Sequence, residues 1–190
     1  SANPFGYVSP TTPAHVARQL GGAIAYILDG GACRVGLEST VVGLEAGVVT
    51  VHRLGGIPLE SVELVVGPVA LRPHSTSHPA APGQIESHYA PRVPVVLNTL
   101  LPLAELLAKY PPHQVGVLPY RTPVPAPQGA VWGWEAVLCP GGNLALGAQR
   151  LFGLLRAAEQ AQVRVLWVEQ VPELGLGRAI NDRLRRAAAR

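Results

Sequence analysis

The sequence predicts an α/β chain made of two unequal units joined by a proline-rich tether. Three observations carry that expectation. Beyond residue 93, short β-branched runs alternate with helical stretches, the rhythm of a parallel three-layer module. Before residue 67 the elements are fewer and read as a partial α+β unit with a twisted sheet, thin for a domain that must bury its own core. Between Gly67 and Pro94 fall six prolines and three histidines with few apolar clusters, which reads as a semi-rigid linker. The units are set at 1–66, 67–93 and 94–190.

The elements follow in order. Thr12 followed by Pro13 predicts a helix start, a hydroxyl N-cap with proline at the first helical position. Val16 and Leu20 share one face, and Gly21-Gly22 ends the helix. AIAYIL (23–28) reads as a buried strand stopped by the turn Asp29-Gly30-Gly31. RVGLESTVVGL (34–44) is a second strand region. GVVTVHRL (47–54) is a third, with Val49, Val51 and Arg53 on one side of the pleat. IPLESVELVVG (57–67) reads as a short helix.

After the linker, VPVVLN (93–98) predicts a strand, PLAELLAKY (102–110) a helix and QVGVLPY (114–120) a strand. AVLCPG (136–141) reads as a further strand. Asn143 caps a long helix to about Ala161, with Leu144, Ala148, Leu151, Leu155 and Ala158 at helical spacing. VRVLWVEQV (163–171) is a strand, and LGRAINDRLRRAAAR (176–190) a terminal helix. No internal repeat is evident.

Composition excludes little but shifts the balance. Hydrophobic residues make up 48% of 190, enough for a core and against global disorder. The net charge of +3 is too small to imply nucleic-acid binding by itself. Lys109 is the single lysine beside 14 arginines. Cys33 and Cys139 form no CxxC and read as reduced structural thiols of a cytoplasmic protein. No apolar run reaches the ~18 residues of a membrane-spanning helix. His74 and His78 have roughly metal-like spacing but no acids or thiols nearby, so no metal site is assigned. RLRRAAAR at the C-terminus reads as a solvated helix face whose charge suits the helix end.

Four short motifs carry candidate chemistry. Ser1-Ala2-Asn3, with Ser9-Pro10-Thr11-Thr12 behind it, places small hydroxyls and an amide before a helix N-terminus. Such groups suit anion or sugar recognition, and equally serve turns and capping. Glu38-Ser39-Thr40 interrupts an apolar strand. Half-buried polar groups need partners, from a ligand or from a neighbouring strand. Arg53 ends a strand before Gly55-Gly56, where a guanidinium can grip a phosphate bidentately or simply sit beside a turn. Pro82-Gly83 and His88-Tyr89-Ala90-Pro91 set a stacking ring in the linker, as a ligand contact or as an anchor.

Taken in order, SAN, SPTT, ILDGG, GLESTVV, R-x-G, PG and HYAP, then an α/β unit ending in GLGRAINDRL, resemble the Sua5 form of the Sua5/YrdC/YciO family, the threonylcarbamoyl-AMP synthases. The resemblance covers nearly the whole chain. It implies the last part of a YrdC-like catalytic domain (1–66), a linker that acts as an active-site lid (67–93) and a Rossmann-like parallel Sua5 domain (94–190). It implies a nucleotidyltransferase that takes ATP with Mg²⁺, L-threonine and bicarbonate to threonylcarbamoyl-AMP and pyrophosphate. A separate tRNA threonylcarbamoyltransferase complex would then modify adenosine 37 of tRNA. By matching motifs, Ser1 and Ser39 would contact threonine, Asn3, Thr11 and Arg53 would contact ATP, and Tyr89 would roof the nucleotide.

Two departures bear on activity. The family's Arg-Pro-Gly reads Arg53-Leu54-Gly55 here. Its Lys-x-Arg phosphate clamp has no counterpart in residues 1–92, which hold no lysine, so no catalytic residue is assigned and these residues alone are expected to be inactive. Two other functions fit the sequence: an RNA-binding module of YrdC-like type, and a non-catalytic regulatory or interaction fragment.

Overall fold

A computed structural model describes residues 2–72 and 88–189. Ser1, Pro82-Gly83 and the His74 and His78 pair lie outside the described residues. The C-terminal unit is a four-stranded parallel sheet ordered β4-β7-β5-β6, with β4 at Val95–Leu97, β5 at Val115–Leu118, β6 at Trp134–Glu135 and β7 at Val165–Val168. Every residue of β5 and β7 is buried, as expected for parallel strands covered on both faces.

The pleat sorts side chains by parity. Val115, Val117, Val165 and Trp167 pack with Leu106 of helix α3 (Leu103–Leu107). Leu118, Leu166 and Val168 face the other way, onto α4 (Leu144–Gln160) and α5 (Leu176–Ala188). This is the three-layer arrangement expected from the alternating pattern. The long helix begins at the expected cap, where Leu146 N–H donates to Asn143 Oδ1 at 3.0 Å. Asn143→Ala should lower the unfolding free energy by about 1 kcal/mol, read from the urea midpoint at unchanged slope.

The expected strand at 136–141 is displaced. The strand is Trp134–Glu135, paired parallel to β5, and a 3₁₀ turn occupies Pro140–Gly142. Pro140 cannot donate to a ladder, and the backbone from Ala136 to Cys139 bonds to Val117, Pro119 and Tyr120 without forming a regular strand.

The N-terminal unit has helix α1 (Pro13–Leu20), the hairpin of β1 (Val41–Glu45) and β2 (Val48–Arg53), helix α2 (Leu59–Val66) and the short β3 (Ala70–Leu71). Thr12 caps α1 as predicted, accepting from His15 N–H at 3.3 Å. The strand expected at 23–28 does not form. Residues 23 and 24 continue the turn off α1 onto Leu20 O, and Tyr26 and Leu28 are 89% and 95% exposed. An apolar run becomes a strand only where a neighbouring strand accepts its backbone, and none flanks it among the described residues. The sheet is β1-β2-β3, antiparallel then parallel.

This unit docks on α5. Val51 and Leu54 are buried against Ala179, and Glu60 of α2 accepts from Gly175 N–H at 3.2 Å, at the start of α5. The reading of RLRRAAAR as a solvated face is overturned here. Asp182, Arg183 and Arg186 are buried, with Arg183 at 0% exposure. The reason is charge neutralisation: carboxylates of Asp182 and of the distant Glu38 meet the guanidiniums inside. No helix among the described residues is long and apolar enough to cross a membrane.

Candidate functional site

The site is built where the β1–β2 hairpin meets the Gly55-Gly56 turn. Antiparallel pairing puts Val41 opposite Arg53, which carries the Arg53 side chain back along the segment before β1. Arg53 Nε donates to Ser39 O at 3.1 Å, and its Nη2 donates to Ser39 Oγ at 3.0 Å. The turn clasps the same segment. Gly56 N–H donates to Glu38 O at 2.8 Å, and Thr40 Oγ1 both donates to Ile57 O at 2.7 Å and accepts from Ile57 N–H at 3.1 Å. A Cβ at Gly55 would overlap the backbone of residues 38–40, so the approach needs glycine.

Glu38 links this corner to the rest of the molecule. Its Oε1 accepts from Ser9 Oγ at 2.7 Å. Its Oε2 accepts from Arg183 Nη2 at 3.0 Å and Nε at 3.2 Å. Burial pushes the Glu38 carboxyl up, but the Arg183 charge, the Ser9 hydroxyl and backbone and guanidinium hydrogen bonds outweigh it and hold it below its ordinary range. Burial likewise opposes the charge on Arg183, yet Glu38, Tyr89 and Asp182 raise it above its ordinary range. Both groups are therefore charged across the working pH range.

The predicted residues divide into groups. Ser39 and Arg53 are brought together. Asn3 belongs to the loop that ends at Ser9, and its amide donates to Pro4 O at 2.9 Å and Tyr7 O at 3.1 Å. Asn3 Oδ1 is buried without a partner among the described residues. The Ser9–Glu38 bond ties the loop that carries Asn3 to the segment of Ser39. Thr11 is buried, with N–H donating to His15 Nδ1 at 3.1 Å. It lines a separate hollow of about 180 Å³ with Thr12 and Cys33.

Tyr89 lies in the core of the C-terminal unit. It is 1% exposed, stacked on Phe152 at 5.4 Å between centroids, with Arg183 5.2 Å over its ring. Its backbone is left-handed, φ 61°. His88 stands edge-on to it at 4.1 Å, its Nδ1 buried without a partner among the described residues. Burial is the main cause that lowers the His88 pKa, and Glu38 opposes it while Arg186, Arg183 and Arg53 reinforce it.

The Ser9–Glu38–Arg183–Asp182–Arg186 network was missed by sequence reasoning. The signal available was the polar Glu38 inside an apolar run, which demanded a partner. Its partner sits 145 positions away, beyond any local pattern. Among the described residues no three His, Cys, Asp or Glu side chains could hold a metal ion together.

Comparison with known proteins places the chain. Residues 57–189 match the family described as the C-terminal domain of threonylcarbamoyl-AMP synthase, and residues 1–55 match a family described as Telomere recombination. The threonylcarbamoyl-AMP synthase of Pyrococcus abyssi is 34% identical over 99% of this chain and 56% of its own length. That of Bacillus subtilis is also 34% identical, over 99% of this chain and 56% of its own length. The crystal structure of P. abyssi Sua5 complexed with L-threonine superposes with a TM-score of 0.83 at 34% identity, over 99% of this chain and 56% of that one. The chain thus spans little more than half the length of these relatives. With the C-terminal-domain match covering well over half of its residues, the chain belongs to the Sua5-type threonylcarbamoyl-AMP synthase family.

Proposed function

We propose that these residues form part of an enzyme that makes threonylcarbamoyl-AMP from L-threonine, bicarbonate and ATP for tRNA modification. The observation that carries the reading is the 3.0 Å contact between Arg53 and Ser39. In the proposed reaction the carbamate oxygen of threonine attacks the α-phosphorus of ATP. One O–P bond forms, and the bond to the pyrophosphate leaving group breaks. A hydroxyl that holds threonine and a guanidinium that holds ATP must then be neighbours, as Ser39 and Arg53 are.

The chemistry asks for positioning and charge stabilisation rather than a covalent intermediate on the protein. Arg53 would neutralise phosphate charge, with its orientation fixed by Ser39 O and Oγ. Ser39, with Ser1, would hold the amino acid. Asn3 and Thr11 would complete the nucleotide contacts, and Tyr89 would serve the linker as a lid. Mg²⁺ would arrive with the ATP phosphates as part of the substrate. The product would pass to a separate cytoplasmic complex acting on tRNA.

The test is pyrophosphate release from ATP by the protein that carries these residues. Release should require both L-threonine and bicarbonate, and Arg53→Ala should weaken ATP affinity about tenfold or more, the loss of a charge-assisted bidentate contact. Release indifferent to threonine would overturn the reading. So would salt-sensitive RNA binding that ATP does not affect, with no pyrophosphate formed.

A further inference from the structure

A sizeable hollow among the described residues has none of the Ser39–Arg53 corner in its wall. It measures about 790 Å³ and is lined by none of Asn3, Thr11, Ser39, Arg53 or Tyr89. Three guanidiniums reach it from three separate elements: Arg18 on α1, Arg92 at the end of the linker and Arg156 on α4. One carboxylate, Glu159, shares the wall. It is already engaged, accepting from the Tyr7 hydroxyl and from Arg92 N–H, and standing 3.7 Å from Arg92 Nε. The wall carries more positive than negative charge.

Two of the cations have no carboxylate hydrogen-bond partner among the described residues. Arg156 is buried, yet its bonds go to neutral acceptors: Ser9 O at 3.4 Å, Val8 O and Gln19 Oε1 at 3.0 Å. Its guanidinium also lies 5.1 Å over the Tyr7 ring. Arg18 makes no hydrogen bond or ion pair among the described residues, and its charge repels Arg156. At the rim Phe5 is 83% exposed, its ring 6.1 Å from that of His88 in a T-shaped contact, and Val93 and Val163 add apolar wall.

We propose that this hollow is a second binding site, for a phosphorylated ligand of nucleotide size. Guanidiniums grip phosphate oxygens bidentately. A phosphate there would relieve the repulsion between Arg18 and Arg156. A flat ring would cover Phe5. The hollow is half open to solvent, and its volume lies within the ~300–1,000 Å³ of small-molecule sites. The site joins α1, the linker and α4, so an occupant would fasten the N-terminal unit to the C-terminal one.

The test uses ADP as the probe, by titration calorimetry at low salt, in an Arg53→Ala background. That background removes the nucleotide contact proposed above, so the two readings fail separately. One equivalent of ADP should still bind. Adding Arg18→Gln should weaken it about tenfold. Adding Phe5→Ala should weaken ADP but leave tripolyphosphate binding unchanged. Both residues are exposed, and thermal unfolding should confirm that the fold is intact. Loss of all ADP binding in Arg53→Ala alone would overturn the proposal. So would indifference to Arg18→Gln, or an oligoribonucleotide that binds where ADP does not.

Discussion

Replacing Arg183 by alanine should lower the unfolding free energy by about 3–5 kcal/mol, the cost of removing one partner from a buried ion pair. The side chain is fully buried, while its partners Glu38 and Asp182 are 19% and 4% exposed. Removal leaves the largely buried Glu38 carboxylate without its counter-charge, with the Ser9 hydroxyl as its remaining side-chain hydrogen bond among the described residues. Asp182 keeps Arg186 at 3.0 Å, so the damage concentrates at Glu38. The measurement is a urea midpoint with unchanged slope. Combining Arg183→Met with Glu38→Gln should recover more than half of the loss, because the uncompensated charge is gone. A single-variant loss below about 1 kcal/mol would place the pair with the weak surface bridges.

The same pair sets an acid limb. Glu38 has a folded pKa below its ordinary 4.5, so its contribution is complete above pH 4.5. It is lost as pH falls through the lower folded value. Glu38→Gln should flatten stability against pH in that acid window and leave the neutral region parallel to the parent. The functional consequence follows from chain position. Glu38 precedes Ser39, so loosening Glu38 loosens the seat of Arg53 as well.

How much of this was legible depended on the range of the interaction. The caps at Thr12 and Asn143 bond within three residues, and both were read from sequence. The parity of β5 and β7 is also local. The run at 23–28 failed because its letters describe one half of a pairing. The charges of α5 failed similarly: Arg183 and Arg186 look like a solvated face until Glu38 and Asp182 are brought against them. The convergence of Ser39 with Arg53 was half visible, since a hairpin over 41–53 brings residues near its open end together. The Ser9–Glu38 bond that ties the first loop to it was not.

Tyr89 carries the second large effect. Tyr89→Ala should cost about 3–5 kcal/mol, the usual loss for a core aromatic. It removes the stack on Phe152 and the face under Arg183. Tyr89→Phe keeps both and should stay within about 1.5 kcal/mol of the parent, the worth of one hydroxyl. The left-handed backbone at Tyr89 is tolerated because its neighbours are fastened: Ala90 N–H donates to Gly6 O at 3.2 Å and His88 N–H to Arg186 O at 3.3 Å. These bonds make the lid proposal measurable. If the linker roofs the nucleotide, Tyr89 must leave this seat, and the Ala90 amide must exchange faster when ATP and threonine are bound. Exchange that stays as slow as the β7 amides with both ligands present would leave Tyr89 as an anchor and remove it from the nucleotide site. The cost of leaving a buried, stacked position would have to be met by ligand contacts. Tyr89→Ala, already released, would then bind ATP less selectively for the threonine-loaded state while unfolding at lower urea.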